Sequence, residues 1–526
     1  MWEEMRASPM LWLEVEAETA LPRTLISSPY WNRKLKNPAE MPSPTPSTKS
    51  LEICRVTPPP DSPESSAQFP LLLTFFDTFW LKFPPVERIF FYRLSSSATS
   101  SPSEFQSTVV PRLKRSLSVA LLRFLPLAGN LTWPADADVP FILYTPGDGV
   151  SLTVAESTSA EGDDFDRLSG DGPRDAILSR AYVPKLAVSG PNAAVLALQV
   201  TLFPKKGFCI GVTCHHAVLD GKSTVMFLKA WAHISCYDDG EGTLPDELTP
   251  SLDRTAVKDP DGIVLEDVKT WTALCGEEDG TRSLELLPEA MPTADKSSQL
   301  RGTFKLSRQD IQKLKQSVIR YLEKDDDDEK RLEMKPNYNL STFVITYAYT
   351  LVCMAKAKGS EDDKKKAFFG FTADCRSRLD PPLPSNYFGN CVMSFAAGKI
   401  TVRDLVHEGG IAAAAHKLVE VIRPLEKGVL VGAKGKLARL FGEVAAMKEV
   451  GLIGVGVAGS PRFGVYGVDF GYGRPEKVEI TSIDRTSAMS MAESGDGSGG
   501  VEVGVVMERH EMEEFTSAFF DGLKHI

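Results

Sequence analysis

This 526-residue chain has no closely spaced cysteine pair, no long uninterrupted apolar run and no excess of positive charge. Its eight cysteines, at 54, 209, 214, 236, 275, 353, 375 and 391, form no C-x-x-C motif, and several lie in apolar runs where a thiol packs as a small hydrophobe. That usage speaks against an oxidising compartment, and a cytoplasmic location is expected. The longest apolar stretch, Phe69 to Leu81, is broken by Asp77 and is too short to cross a bilayer, so no membrane span is expected. Lys and Arg number 59 against 70 Asp and Glu, a net charge of -11 with a pI near 5.4. This balance argues against nucleic acid or an anionic membrane as the main partner, while leaving room for a local basic pocket. The first 40 residues carry acids at 3, 4, 14, 16 and 18, which suits neither a secretory signal nor an acid-poor transit peptide.

With 42% hydrophobic and 25% charged residues, the composition is that of a globular protein, and the length suits two domains. No internal repeat is visible. Met41 opens a Pro/Ser/Thr-rich segment, and residues 1–40 are expected to be a non-native or disordered extension ahead of it. An N-terminal domain is expected over 41–235, a polar crossover over 236–269 and a C-terminal domain over 270–526. Strands and helices alternate in both halves, which predicts an α/β or α+β class. Leu51–Val56 reads as the first strand. Val110 to Phe124 has apolar residues at helical intervals and stops at Pro126. Val195–Phe203 and Phe208–Cys214 read as strands of a hairpin turning at Pro204 to Gly207. A helix is expected from Thr224 to Ile234, with Gly221 in the turn and Ser223 as its N-cap. In the second half a strand at Leu300–Leu306 precedes a helix over Ser307–Glu323, opened by a Ser307/Asp310 capping box. Ser341 to Ala357 reads as a helix with one buried face, between charged loops at Asp325–Glu329 and Glu361–Lys366.

Histidine is scarce, at seven residues, yet two are adjacent in His215-His216-Ala217-Val218-Leu219-Asp220, where the second apolar strand ends. A strand-to-helix junction is where catalytic side chains are often presented. His216 is the candidate general base. His215, its strand neighbour, points the opposite way and is assigned a structural role. Adjacent histidines diverge and no further Cys/His cluster completes four ligands, so no metal site is expected. Asp220 at four-residue spacing leaves open a hydrogen-bonded dyad that orients the imidazole.

Two distant motifs complete the pattern. Asn386-Tyr387-Phe388-Gly389-Asn390-Cys391 follows the Asp374-Cys375-Arg376-Ser377-Arg378 segment, and Asp469-Phe470-Gly471-Tyr472-Gly473-Arg474-Pro475 lies near the C-terminus. Together with the His216/Asp220 spacing, these resemble the plant BAHD acyl-CoA-dependent acyltransferases over roughly residues 51–526. Tyr472 stands where that family usually has Trp. The Tyr-Phe-Gly-Asn-Cys variant, with Ala458 to Phe463, is similar to the branch that acylates anthocyanin and other phenolic glycosides, often with malonyl-CoA.

The resemblance implies a monomer of two chloramphenicol-acetyltransferase-like α/β domains with mixed sheets and a solvent channel between them. It implies acyl-CoA as co-substrate, a phenolic or flavonoid glucoside as acceptor, and no permanently bound cofactor. A hydroxycinnamoyl donor with a phenolic or amine acceptor is the nearest alternative, and a catalytically silent ligand-binding paralogue is another. In such folds the aspartate turns from the substrate and pairs with an arginine; Arg376 is the expected partner of Asp220, with Arg378 second. Asp469, Gly471 and Gly473 are better suited to fixing a turn than to moving a proton. The Asn390 amide can donate to a developing oxyanion. A malonyl tail needs a cation, for which Lys222 and Arg462 are candidates.

Overall fold

The computed structural model describes residues 48–526 apart from 95–100, 159–162, 238–242, 277–280, 288–297, 324–339, 360–364, 427, 450–452 and 487. The expected N-terminal extension and most of the two charged loops lie outside the described residues.

The largest sheet has six strands in the order Thr48–Val56, Val150–Ser157, Leu196–Phe203, Gly207–Cys214, Val86–Arg93 and Lys477–Ile480. Every residue of Leu196–Phe203 and Gly207–Cys214 is buried, because this hairpin occupies the sheet centre and is covered on both faces. A five-stranded sheet in the second half runs Val457–Gly459, Met489–Glu493, Val501–Glu508, Gln299–Leu306 and Arg174–Asp175. The two sheets exchange strands. Lys477–Ile480 pairs antiparallel with Val86–Arg93 in the first, and Arg174–Asp175 pairs with Gln299–Leu306 in the second. The halves are thereby tied by backbone hydrogen bonds as well as by side-chain packing.

Two large apolar cores follow the same division. One gathers the six-stranded sheet with the helices Val110–Arg123 and Gly221–Ser235; the other gathers Gln299–Leu306, Thr342–Lys358 and Arg509–Lys524. Most expected elements occur within three residues of their sequence-based bounds, and the Ser307/Asp310 capping box is present. Two differ. Thr342–Lys358 is buried around nearly its whole circumference rather than along one face, because helices Gly410–Ile422 and Arg509–Lys524 both pack on it. The expected polar crossover contains the start of a helix, Ile263–Leu274, whose apolar face is interrupted by a buried carboxylate, Asp267. Among the described residues, no helix is long and apolar enough to cross a membrane.

Candidate active site

The central strand Gly207–Cys214 delivers the histidine pair. The His215 N–H still donates to the Val195 carbonyl at 2.9 Å, so the hairpin ladder runs one residue beyond the strand before the chain turns. As strand alternation demands, the two side chains part. His215 is fully buried and its Nδ1 accepts the Ala217 N–H at 3.2 Å. His216 is half-buried, its imidazole stacked on Trp80 with centroids 4.2 Å apart and planes 7° from parallel. Nδ1 of His216 is enclosed and makes no hydrogen bond, which leaves Nε2 as the nitrogen available to a substrate. Burial pushes this imidazole down to about 4, against smaller upward pulls from its own carbonyl and Asp220, so it is neutral at pH 7. A neutral imidazole can accept a proton.

Asp220 begins the next helix, Gly221–Ser235, and is itself the N-cap: Oδ1 accepts the Ser223 N–H at 2.8 Å. Ser223 was the expected cap. Both residue types cap well, but the chain reaches Asp220 in an extended conformation, so the helix starts three residues earlier and absorbs Ser223 into its first turn. Asp220 Oδ2 receives Arg376 Nη2 at 2.8 Å and the Cys391 N–H at 3.1 Å. With both oxygens engaged away from the imidazole, the His-Asp dyad is not formed, and Arg376 is the partner. Both members of this ion pair are 2% exposed in their side chains. Arg376 also donates to Ser223 Oγ (3.0 Å), the Gly389 carbonyl (2.9 Å), the Tyr387 carbonyl (3.3 Å) and Asp374 Oδ1 (3.0 Å). Burial alone would lower its pKa, but Asp220 and Asp374 outweigh burial and hold it above the usual guanidinium range. Arg378 instead donates to the Asp374 carbonyl.

The Tyr387 to Cys391 segment is the hub of the site. Asn390 Nδ2 donates to the His216 carbonyl at 2.9 Å and to Asp77 Oδ1 at 3.0 Å. Its amide protons are therefore committed to protein acceptors, which corrects the expectation that Asn390 offers a hydrogen bond to an oxyanion. Asp77 is fully buried and also accepts from Thr74 and from Arg254 Nη1, the latter at 3.1 Å. Arg254 in turn donates to the Tyr387 hydroxyl at 2.8 Å. Gly389, at φ 141°, lies so close to the Arg254 guanidinium that any Cβ would collide with it. Sequence reasoning missed Trp80, Asp77 and Arg254. The one available signal was a lone aspartate inside the apolar Phe69–Leu81 run.

A model of the transferase family matches residues 55–521. Phenolic glucoside malonyltransferase 1 of Arabidopsis thaliana is 41% identical over 91% of this chain and 98% of its own length. Malonyl-CoA:anthocyanidin 5-O-glucoside-6''-O-malonyltransferase of the same plant is 43% identical over 90% and 98%. The chain belongs to the BAHD transferase family. Vinorine synthase superposes with a TM-score of 0.58 at 19% identity, over 90% of this chain and 98% of its own, which shows a shared mixed α/β fold. Like other BAHD proteins, the chain is an acyl-CoA-dependent acyltransferase that takes acyl-CoA as co-substrate.

The C-terminal BAHD motif lies at the opposite end of the helix that Asp220 opens. Fifteen residues of helix separate them, about 22 Å at the usual rise. Asp469 Oδ1 accepts the N–H groups of Gly471 (2.8 Å) and Gly473 (2.9 Å), which have φ of 90° and 94°. The turn so closed lets the Phe470 carbonyl accept Ser235 Oγ at 3.1 Å and the Phe470 ring pack edge-on against Trp231 at 4.7 Å. Tyr472 packs edge-on to Phe208 at 5.6 Å. Lys222 is 39% exposed in its side chain and sits 3.6 Å from Asp374, while Arg462 is exposed in the loop beside the helix start. Neither is enclosed.

The histidine pair has a measurable consequence. His215 is likewise pushed down to about 4, first by burial and then by His216. Unfolding returns both toward about 6.5, so between pH 6.5 and 4 the unfolded chain binds more protons than the folded one. Stability contributed by keeping them neutral should be complete above about pH 6.5 and fall as pH drops toward 4. Urea unfolding at stepped pH reads this directly, and a stability flat across that window would show that the imidazoles are not desolvated.

Proposed function

We propose that this protein transfers a malonyl group from malonyl-CoA to a hydroxyl of a phenolic or flavonoid/anthocyanin glucoside, with His216 as general base, acting as a cytoplasmic monomer. The observation that carries the mechanism is the neutral, half-buried imidazole of His216, stacked on Trp80 with Nε2 free. The substrate classes are supported by what the 41% and 43% identical relatives are named for. That Asn390, from the second half of the chain, donates to the His216 carbonyl supports a site between an N-terminal and a C-terminal domain.

An unassisted sugar hydroxyl is a poor nucleophile at pH 7, and a positioned base contributes about 10²- to 10⁴-fold. Nε2 takes the hydroxyl proton as the oxygen attacks the thioester carbon. The tetrahedral intermediate then collapses, the C–S bond breaks, and the proton passes from the imidazolium to the departing CoA sulfur. The products are the malonyl ester and CoA thiol. Asp220, Arg376 and Asn390 act as positioning residues that fix the backbone on either side of His216, and Asp469, Gly471 and Gly473 anchor the far end of the helix.

Following free thiol with malonyl-CoA, coumaroyl-CoA and a panel of phenolic glucosides tests the reading. Release with malonyl-CoA and a glucoside is expected. Release only with coumaroyl-CoA replaces the donor by a hydroxycinnamoyl group, and no release with any pair makes the protein a silent ligand binder.

A further inference from the structure

His216 lacks the partner that steadies the imidazole of a His-Asp dyad. In a dyad the carboxylate fixes the ring through one nitrogen and stabilises the imidazolium that forms when the other nitrogen takes a proton. Here both Asp220 oxygens are engaged elsewhere, by Ser223, Arg376 and Cys391, and Nδ1 of His216 is enclosed without a hydrogen bond. What the ring does meet is Trp80. The centroids lie 4.2 Å apart with the planes 7° from parallel, so the indole lies flat on one face of the imidazole.

Trp80 is itself firmly held. It follows the short helix Phe75–Thr78, its backbone N–H donates to the Asp77 carbonyl at 3.0 Å, and the Phe79 and Phe83 rings cross it at 73° and 61°, with centroids 4.8 and 5.0 Å away. The same segment presents Asp77, whose Oδ1 accepts from the Asn390 amide that also donates to the His216 carbonyl. One segment thus bears on both the backbone and the ring of His216. The indole N–H is buried and has no acceptor among the described residues. An unpaired donor is costly, so hydrogen bonding does not account for an indole at this position. Its distinguishing property is an electron-rich face, the best aromatic partner for a cation.

That face matters once Nε2 has taken the hydroxyl proton. The ring then carries a full positive charge in surroundings whose burial disfavours it. The other titratable groups that bear on it give little help: His215 is neutral at pH 7, and Asp220 is paired with Arg376. The indole is in contact.

We propose that Trp80 is a positioning residue that holds the His216 ring by its face and stabilises the imidazolium formed during proton transfer, a role that rests on His216 being the general base. It is the part a carboxylate plays in a dyad.

The test replaces Trp80 by tryptophans carrying one to four ring fluorines, which keep the shape of the indole while draining its face of electron density, alongside Trp80→Phe and Trp80→Leu. The single-turnover rate of thiol release is read at pH 7 with malonyl-CoA, or with coumaroyl-CoA if that is the donor, beside steady-state KM values and thermal unfolding. The rate should fall stepwise with fluorination, by about tenfold over the series, while KM and melting temperature hold. Trp80→Leu should lose about 10- to 30-fold, and Trp80→Phe should recover part of that loss. A rate flat within twofold across the fluorinated proteins overturns the role, even where Trp80→Leu is slow or fails to fold, because the indole then serves only as packing. A Trp80→Leu protein of undiminished rate overturns it as well. His216→Gln keeps the two assignments apart. With that variant inactive and the fluorinated series flat, the base stands and only the part of Trp80 is lost; a fully active His216→Gln protein, or no thiol release with any donor, removes both.

Discussion

His216→Gln should lower kcat by about 10²- to 10⁴-fold with donor KM little changed, because the amide keeps a flat side chain against Trp80 but cannot take a proton. Stability should change little, since the imidazole is half-buried and its side chain carries no structural hydrogen bond. Free-thiol release under saturating donor and acceptor, read beside thermal unfolding, measures both. The acid limb of kcat/KM should also disappear. In the wild type that limb should lie well below pH 6, because burial holds the imidazole neutral down to about 4. Since His215 and His216 sit side by side and influence one another, the limb reports the pair rather than one ring. A loss of less than about tenfold would mean that the hydroxyl proton leaves by another route.

Asp220→Ala should cost about 3–5 kcal/mol of stability, the penalty for leaving a buried guanidinium without its counter-charge. The lost helix cap adds to it, typically about 1 kcal/mol. Activity should fall with the folded fraction. Asp220→Ala combined with Arg376→Met should be less destabilised than Asp220→Ala alone, because removing the stranded cation removes most of the penalty, and the double-mutant cycle measures that coupling. Denaturant unfolding of the four proteins settles the matter. A stable Asp220→Ala protein with a selective loss of kcat would instead make the carboxylate a partner of the imidazole in the reaction.

What could be read in the sequence was local in origin. The Leu196–Phe203 and Gly207–Cys214 hairpin showed itself through its apolar runs and the Pro204 to Gly207 turn, and so placed His216 at a strand end. The helix after it was legible in type but not in its first residue. Asp220 and Ser223 are both good caps, and only the Arg376 and Cys391 contacts select the first. Asp267 hid the Ile263–Leu274 helix for a related reason, since a buried carboxylate looks like a surface residue until Thr78, 189 positions away, is seen to bond it.

The sequence by itself determined the candidate base, the transferase family and the α/β elements, because strand and helix periods are short-range properties of the chain and the three motifs stand in the family's order along it. Only the tertiary structure decided what holds that group. Trp80 beneath His216 and Asn390 on its carbonyl come from segments more than a hundred residues away along the chain, as does Arg376, which the family resemblance had already paired with Asp220. No period encodes such pairs. They are chosen by which buried charges and amides must find partners once the two sheets exchange strands and the cores close.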